Sequence, residues 1–277
     1  MDVLLLFKAV VMGIVEGITE FLPISSTGHL IVASRALQFP ANIESTFAIF
    51  IQLGAILAVM VYFARDLLGL LRQAWPGSAE DSGATRRAQR LVLGVMVAFV
   101  PAGVIGFLFN DLIDAWLFRP LTVGIALVAG AIIILLVERR SRAPVTHTLE
   151  QVTPGQALLV GVAQVASLFP GMSRSAATIV GGLLAGLDRP TALRFSFYLS
   201  IPTMVIATLY ALLKNLSSIQ TDQIAAFGVG LVVSFIVALL VVHWFLGFVS
   251  RHTLRPFAWY RLGAGVVIIA LALAGLL

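Results

Sequence analysis

The sequence predicts an all-α polytopic membrane protein, one integral membrane unit over 1–277 with six transmembrane helices and two re-entrant helix–break–helix hairpins. Three observations predict it. Hydrophobic residues make up 60% of the 277 and charged residues 11%, against about 45–50% and about 25% in soluble domains, and the mean hydropathy is +1.03. Six apolar runs reach the ~20 residues that a membrane-crossing helix needs. Two further apolar regions are interrupted by proline and by strings of polar residues. So few charges cannot cover the surface of a soluble enzyme, and a disordered chain needs the opposite composition. The chain has no cysteine, which excludes a disulfide framework, a thiol catalyst and a thiolate metal site. A net charge of +5 and a pI of about 10.2 suggest nucleic acid in a soluble protein. Here most arginines sit in short gaps between apolar runs, where they mark the cytoplasmic face of a membrane, and no nucleic-acid partner is expected.

In chain order, the first broken region covers 3–38, with Pro23 and the string Ser25-Ser26-Thr27-Gly28-His29. Spans follow at 44–64, 91–109 and 120–137. The second broken region, 154–187, carries Pro170-Gly171 and Ser173-Arg174-Ser175, and further spans lie at 191–213, 223–249 and 256–276. Proline bars the preceding residue from helical geometry and has no N–H to donate, so each broken region reads as helix, break, helix. If both arms of each pair crossed, ten short spans would result. If each pair turns back, there are six spans and two re-entrant hairpins, whose non-helical backbone must be buried in protein or line a cavity.

Charge orients the chain. The loop 65–90 (Arg65, Arg72, Arg86, Arg87, Arg90), the loop 138–150 (Arg139, Arg140, Arg142), Arg189 and Arg194, and the segment Arg251, Arg255 and Arg261 share one side. Lys8, Arg35, Arg119 and Lys214 share the other, 13 against 4. The rich side is cytoplasmic and both termini lie opposite. The count is the same for either hairpin depth.

The chain also repeats itself. Gly13-Ile14-Val15-Glu16 matches Gly161-Val162-Ala163-Gln164, and Phe47-Ala48-Ile49-Phe50 matches Phe195-Ser196-Phe197-Tyr198, both at a shift of 148. Between them, Leu22-Pro23 before Ser25-Ser26 echoes Phe169-Pro170 before Ser173-Arg174-Ser175 with a one-residue slip. Phe118-Arg119-Pro120-Leu121 echoes Leu254-Arg255-Pro256-Phe257 at 136. Repeat one covers about 1–140 and repeat two about 150–277. Each holds a broken hairpin and three spans; three is odd, so the second enters from the opposite face, an inverted-topology repeat.

Ionisable residues in apolar spans cost about 2.5–3.5 kcal/mol each and point to function. Glu16, Glu20, His29, Arg174 and His243 qualify, and the first four lie in or beside the breaks. Glu16 and Glu20 are one helical turn apart, so their carboxylates share a face. Like charges there require a shared proton, a partner or a cation; Mg²⁺ or Ca²⁺ takes carboxylate oxygens. Ser25, Ser26 and Thr27 suit a helix N-terminus, and His29 lies one turn beyond Ser26, within reach of it. Ser173, Arg174 and Ser175 start the matching helix. Two such N-termini aimed at one point, with the planar fork of Arg174, make an anion site. Carboxylates behind it favour a metal-bound phosphate or diphosphate. Gln52 and Gln164 either line the pocket or join helices, with joining preferred for Gln52, and His243 reads as a structural histidine.

The run Glu16-Gly17-Ile18-Thr19-Glu20-Phe21-Leu22-Pro23-Ile24-Ser25-Ser26-Thr27-Gly28-His29 closely resembles the first signature of the undecaprenyl-diphosphatase family, the bacitracin-resistance type. Pro170-Gly171-Met172-Ser173-Arg174-Ser175-Ala176-Ala177-Thr178 resembles the second, with Ala176 where the family often has glycine. The resemblance implies a bacterial inner-membrane phosphatase that converts undecaprenyl diphosphate to undecaprenyl phosphate, the lipid carrier of cell-wall precursors. It also implies a divalent cation, Mg²⁺ or Ca²⁺, inverted repeats, re-entrant hairpins and a site open to the periplasm.

On that reading Glu16 and Glu20 hold the cation, and Arg174 clamps the transferred phosphoryl group. Ser25, Thr27, Ser173, Ser175, Gln164 and Thr178 complete the substrate site. Ser26 is the nucleophile with His29 as its base; alternatively His29 attacks, or activates water. The rival class is a transporter or flippase of a polyprenyl phosphate lipid, which inverted repeats with broken helices also suit. A channel would need a repeating polar stripe, which no span has. The sequence is silent on oligomeric state, and a homodimer is compatible with it.

Overall fold

The computed structural model describes residues 2–75, 82–117, 119–140, 143–215 and 223–277; Phe118 of the repeat and Arg142 of the charged loop lie outside them. The described residues are helical, with short 3-10 turns and one isolated parallel bridge, Thr146 to Leu187. The helices are α1 (Val3–Thr19), α2 (Ser26–Ala36), α3 (Glu44–Tyr62), α4 (Ala64–Ala74), α5 (Ser82–Leu117), α6 (Pro120–Arg139), α7 (Pro154–Gln164), α8 (Arg174–Leu184), α9 (Arg189–Asn215), α10 (Ile224–Val249) and α11 (Arg255–Leu273). Six of them, α3, α5, α6, α9, α10 and α11, are long and apolar enough to cross a membrane. The chain is a multi-pass membrane protein.

Two elements differ from expectation. α5 runs for 36 residues through Pro101, well beyond the expected 91–109, because the polar turns before residue 91 continue the helix that the apolar span starts. α4 lies in what reads as a loop over 65–90. Arg65, Asp66 and Arg72 make it too polar for a span, yet Leu67 and Leu70, three apart on one helical face, pack on the main core, while Leu68 and Leu71 are exposed.

Local sequence sets the helix starts. Asp2 accepts hydrogen bonds from the amides of Leu4 and Leu5 to begin α1. Thr153 and Gln156 form a capping box at α7, with Pro154 in its first turn. Arg–Pro pairs open α6 and α11 (Arg119-Pro120, Arg255-Pro256).

Both broken regions are helix, break, helix. The chain leaves α1, turns through 20–25 and re-enters a helix at Ser26; it leaves α7 through a 3-10 turn (Val165–Leu168) and re-enters at Arg174. The residue before each second helix is a serine with left-handed φ, Ser25 at 72° and Ser173 at 71°. Such a backbone costs a non-glycine residue about 1–3 kcal/mol. The two serines are 148 residues apart, the shift that separates Gly13 from Gly161, so the slip lies just before them. Only the prolines are out of register, Pro170 standing three residues before its serine and Pro23 two, and Gly171 has φ +98° with its α-carbon so close to α6 that a Cβ would collide with the Val123 carbonyl oxygen.

The first arms are exchanged between halves. α1 packs on α10, where a Cβ at Gly13 would meet the Gly230 carbonyl at 2.7 Å; α7 packs on α5, where a Cβ at Gly161 would meet the Ala98 carbonyl at 2.4 Å. α6 lies against α11. At the arginine-rich end, the buried Glu138 accepts Arg189 Nε at 3.0 Å and the Leu254 amide at 3.0 Å, which ties α6, α9 and the start of α11 into one unit.

Candidate active site

The two breaks touch. Ser175 Oγ donates to the Leu22 carbonyl at 2.9 Å. Arg261 of α11 donates to the Pro23 carbonyl through Nη1 and to the Gly171 carbonyl through Nη2, each at 3.1 Å. Across this junction the reactive side chains converge. Ser26 Oγ donates to Glu20 Oε2 at 2.6 Å, and the other oxygen of Glu20 lies 3.6 Å from Arg174 Nη2. The Arg174 guanidinium sits over the Phe21 ring, 5.5 Å from its centre, a cation–π contact.

Their positions follow from the local chain. The Glu20 amide still bonds the Glu16 carbonyl at 2.9 Å, so Glu20 keeps helical register one turn above Glu16 before the chain turns away. The left-handed serines then make Ser26 and Arg174 the first residues of α2 and α8. Ser173 caps α8 by accepting from the Ala176 amide at 3.2 Å. The Ser25 side chain makes no such cap, so the first amides of α2 face the junction without a side-chain acceptor of their own helix, a polarity suited to an anion. Thr27 is half-buried beside Ser26.

His29 departs from expectation. Its Nδ1 lies 2.7 Å from the Ser25 carbonyl and its Nε2 2.7 Å from the Tyr260 hydroxyl, with the two rings stacked at 5.6 Å. A carbonyl accepts only, so Nδ1 carries a proton, and the Nε2 of a neutral ring accepts from Tyr260. The hydroxyl of Ser26 bonds Glu20 instead. The one-turn spacing from Ser26 to His29 is helical, but the turn over 20–25 folds Glu20 back onto Ser26, and the carboxylate takes the hydroxyl proton first.

The supporting polar residues also divide differently from expectation. Ser175 and Thr178 are fully buried, and their hydroxyls serve the frame. Ser175 holds Leu22 and shares a hydrogen bond with Ser173 (3.0 Å); Thr178 donates to the Arg174 carbonyl (2.9 Å) and pairs with the Ser196 hydroxyl (2.6 Å). The Ser196 carbonyl in turn accepts Arg174 Nη1 at 3.3 Å. Gln52 accepts from Thr208 at 3.3 Å and so joins α3 to α9, and His243 meets the Tyr62 hydroxyl at 3.2 Å.

Several buried atoms near the junction have no hydrogen-bond partner: both oxygens of Glu16, Oε1 of Gln164, and Nε and Nη2 of Arg174. A carboxylate that is 1% exposed and wholly unpartnered calls for a cation or a proton. Glu16, with Glu20 one helical turn above it, therefore fits a divalent ion, Glu20 being already engaged by Ser26 and Arg174. Among the described residues no set of three His, Cys, Asp or Glu side chains gathers; two carboxylates, with phosphate oxygens and water for the rest, is a usual Mg²⁺ arrangement. The unpartnered guanidinium N–H groups are the matching donors for an anion.

Sequence reasoning missed Arg261 and Tyr260. Arg261 is counted above with the cytoplasmic arginines, but it is fully buried against the breaks, which leaves 12 against 4 and the same orientation. Its signal was available: it stands six residues into the run that begins at Arg255 and continues as Val266-Val267-Ile268-Ile269, so it belongs with the intramembrane charges. Nothing local distinguishes Tyr260 from an interfacial tyrosine.

The family model described as bacitracin resistance protein BacA matches residues 9–267. The chain is 48% identical over 268 residues to the undecaprenyl-diphosphatase of Thermoanaerobacter sp. (strain X514), covering 96% of this chain and 97% of that protein. It is 47% identical to the undecaprenyl-diphosphatase of Ectopseudomonas mendocina (98% and 95%) and 45% identical to that of Nitrosomonas europaea (100% and 98%).

Proposed function

The chain belongs to the bacitracin resistance protein BacA family, and from that membership we infer that it hydrolyses undecaprenyl diphosphate to undecaprenyl phosphate and inorganic phosphate. The activity recycles the lipid carrier of cell-wall synthesis and accounts for bacitracin resistance. The observation that carries the assignment to this site is the chain of contacts from Ser26 through Glu20 to Arg174, 2.6 and 3.6 Å, which joins a hydroxyl, a carboxylate and an anion-binding fork drawn from two distant parts of the sequence.

In the mechanism we propose, Arg174 holds the terminal phosphoryl group through Nε and Nη2, which make no hydrogen bond within the protein, assisted by the first amides of α2. Glu20 takes the proton of Ser26 as Oγ attacks the terminal phosphorus. The anhydride bond breaks, undecaprenyl phosphate departs, and water then releases phosphate from Ser26. His29, whose Nδ1–H is held by the Ser25 carbonyl and whose Nε2 accepts from Tyr260, becomes the competing nucleophile only where Tyr260 releases Nε2. Glu16, with the Glu20 oxygen that does not accept from Ser26, would hold Mg²⁺ or Ca²⁺, which would supply charge to offset that of the phosphate.

The architecture fits an inverted-topology repeat, about 1–140 and 150–277, with the two helix–break–helix pairs as re-entrant hairpins. The matched left-handed serines, the common 148-residue shift and the exchanged first arms support it. The charge count supports a bacterial inner membrane orientation with the arginine-rich loops in the cytoplasm, and we assign the site to the periplasmic side, with the prenyl chain left in lipid. A homodimer is compatible with this arrangement.

Purified protein should release phosphate from undecaprenyl diphosphate in a reaction that chelation stops and Mg²⁺ or Ca²⁺ restores, and Ser26→Ala should lose it. A phosphorylated intermediate mapped to Ser26 rather than His29 fixes the nucleophile, and its absence points to direct attack by water. Lipid movement across vesicles without phosphate release would replace the phosphatase reading with the flippase.

A further inference from the structure

Arg261 is 0% exposed and the largest of the fully buried side chains. Its guanidinium donates to four backbone carbonyls: Leu127 (Nε, 3.3 Å) and Ala126 (Nη2, 3.4 Å) in α6, Pro23 (Nη1, 3.1 Å) in the first break and Gly171 (Nη2, 3.1 Å) in the second. Among the described residues no carboxylate pairs with it. Burying a charge in that state costs several kcal/mol even after relaxation. The fold also makes room for it, since a Cβ at Gly130 would stand 2.0 Å from Nη2.

The carbonyls explain the choice of side chain. Pro23 and Gly171 lie in breaks, where helical hydrogen bonding is interrupted, and a buried carbonyl without a donor is costly. A planar fork can reach two breaks and a neighbouring helix at once; an ammonium on a flexible stem cannot match that geometry. The charge matters as well. Glu16 and Glu20 would make the junction anionic against Arg174 alone, and Arg261 brings the four groups to formal neutrality.

We propose that Arg261 is a positioning residue of the phosphatase. It clamps Pro23 to Gly171, and through them fixes Glu20 and Ser26 on one break against Arg174 on the other, while its fixed charge keeps the pocket receptive to a diphosphate. This rests on the reading of the junction as the phosphatase site. It assigns a second-repeat helix, α11, a part in the site beyond the two signature segments.

The test compares wild type, Arg261→Lys and Arg261→Ala as homogeneous folded fractions in detergent. Phosphate release from undecaprenyl diphosphate is measured beside hydrogen–deuterium exchange over 20–26 and 169–175. Misplacing reacting groups by about 1 Å costs on the order of 100-fold. Arg261→Lys should therefore lower kcat by about 10- to 100-fold per folded molecule with KM within about threefold, and exchange should rise at both breaks and not in α3. Arg261→Ala should lose more than about 100-fold and regain about tenfold in guanidinium chloride at a level that leaves wild type unchanged. If Arg261→Ala does not fold, the lysine variant decides. A lysine variant with kcat within about threefold of wild type, or with faster exchange confined to α11, overturns the proposal. Wild type that releases no phosphate would remove the phosphatase reading instead, and exchange at the two breaks would still report on the clamp.

Discussion

The two breaks are alike in backbone and unlike in chemistry. Ser25 and Ser173 share a left-handed φ within a degree, at 72° and 71°, and each precedes a second helix of 11 residues. At the 148-residue shift, however, Glu16 answers to Gln164, Glu20 to Leu168, Ser26 to Arg174 and His29 to Ala177. One break supplies carboxylates, a hydroxyl and an imidazole; the other supplies a cation and its hydroxyl scaffold. On the proposed inverted repeat, one frame is divided into an acidic, hydroxyl-bearing tip and a cationic tip, and the proposed mechanism uses both because neither carries both halves of the charge pattern.

Predictions that break or sharpen this contrast run from large to small. Arg174→Ala or Glu20→Ala should lower kcat by about 10³-fold with insertion intact, since each removes a group that meets developing charge; near-normal phosphate release would take that residue out of the site. Gln164→Glu makes the second break resemble the first and adds a carboxylate to the pair Glu16 and Glu20. It should lower turnover about tenfold by repelling the anionic substrate and lower the cation concentration needed for half-activity, because the added charge attracts the ion, and an unchanged cation titration would mean that Gln164 does not face the ion. Tyr260→Phe removes the hydroxyl that meets His29 Nε2 at 2.7 Å and should cost about three- to tenfold in kcat, roughly the worth of one hydrogen bond. Equal kinetics would show that the orientation of His29 is set by Ser25 alone. Smallest, Ser173→Ala should cost about 1 kcal/mol of stability as a lost helix cap, whereas Ser25→Ala, whose side chain makes no cap bond, should shift the melting temperature less.

Much of the frame was legible in the sequence because membrane spans announce themselves by length and apolarity. The six expected spans correspond to α3, α5, α6, α9, α10 and α11, and Pro23 and Pro170 mark both breaks. α4 was hidden because an amphipathic helix of 11 residues with three charges fails a rule built on uniform apolarity. The gathering of Glu20, Ser26 and Arg174 was legible from ionisable residues placed beside breaks. Which of them bond was not, because the partner of Ser26 depends on the fold of the turn over 20–25 and not on spacing along α2. Arg261 was misread because charge counting treats every arginine near a span's end as solvated; its place inside an apolar run marks it as intramembrane, but its four carbonyl partners appear only where α6, α11 and the two breaks meet.

The exchange of first arms has a consequence for how the chain can be taken apart. With α1 seated on α10 and α7 on α5, each half lends the other a wall of its interior. A gene severed between codons 140 and 150 should therefore yield fragments that are inert when expressed singly, yet complement one another when made together in the same membrane.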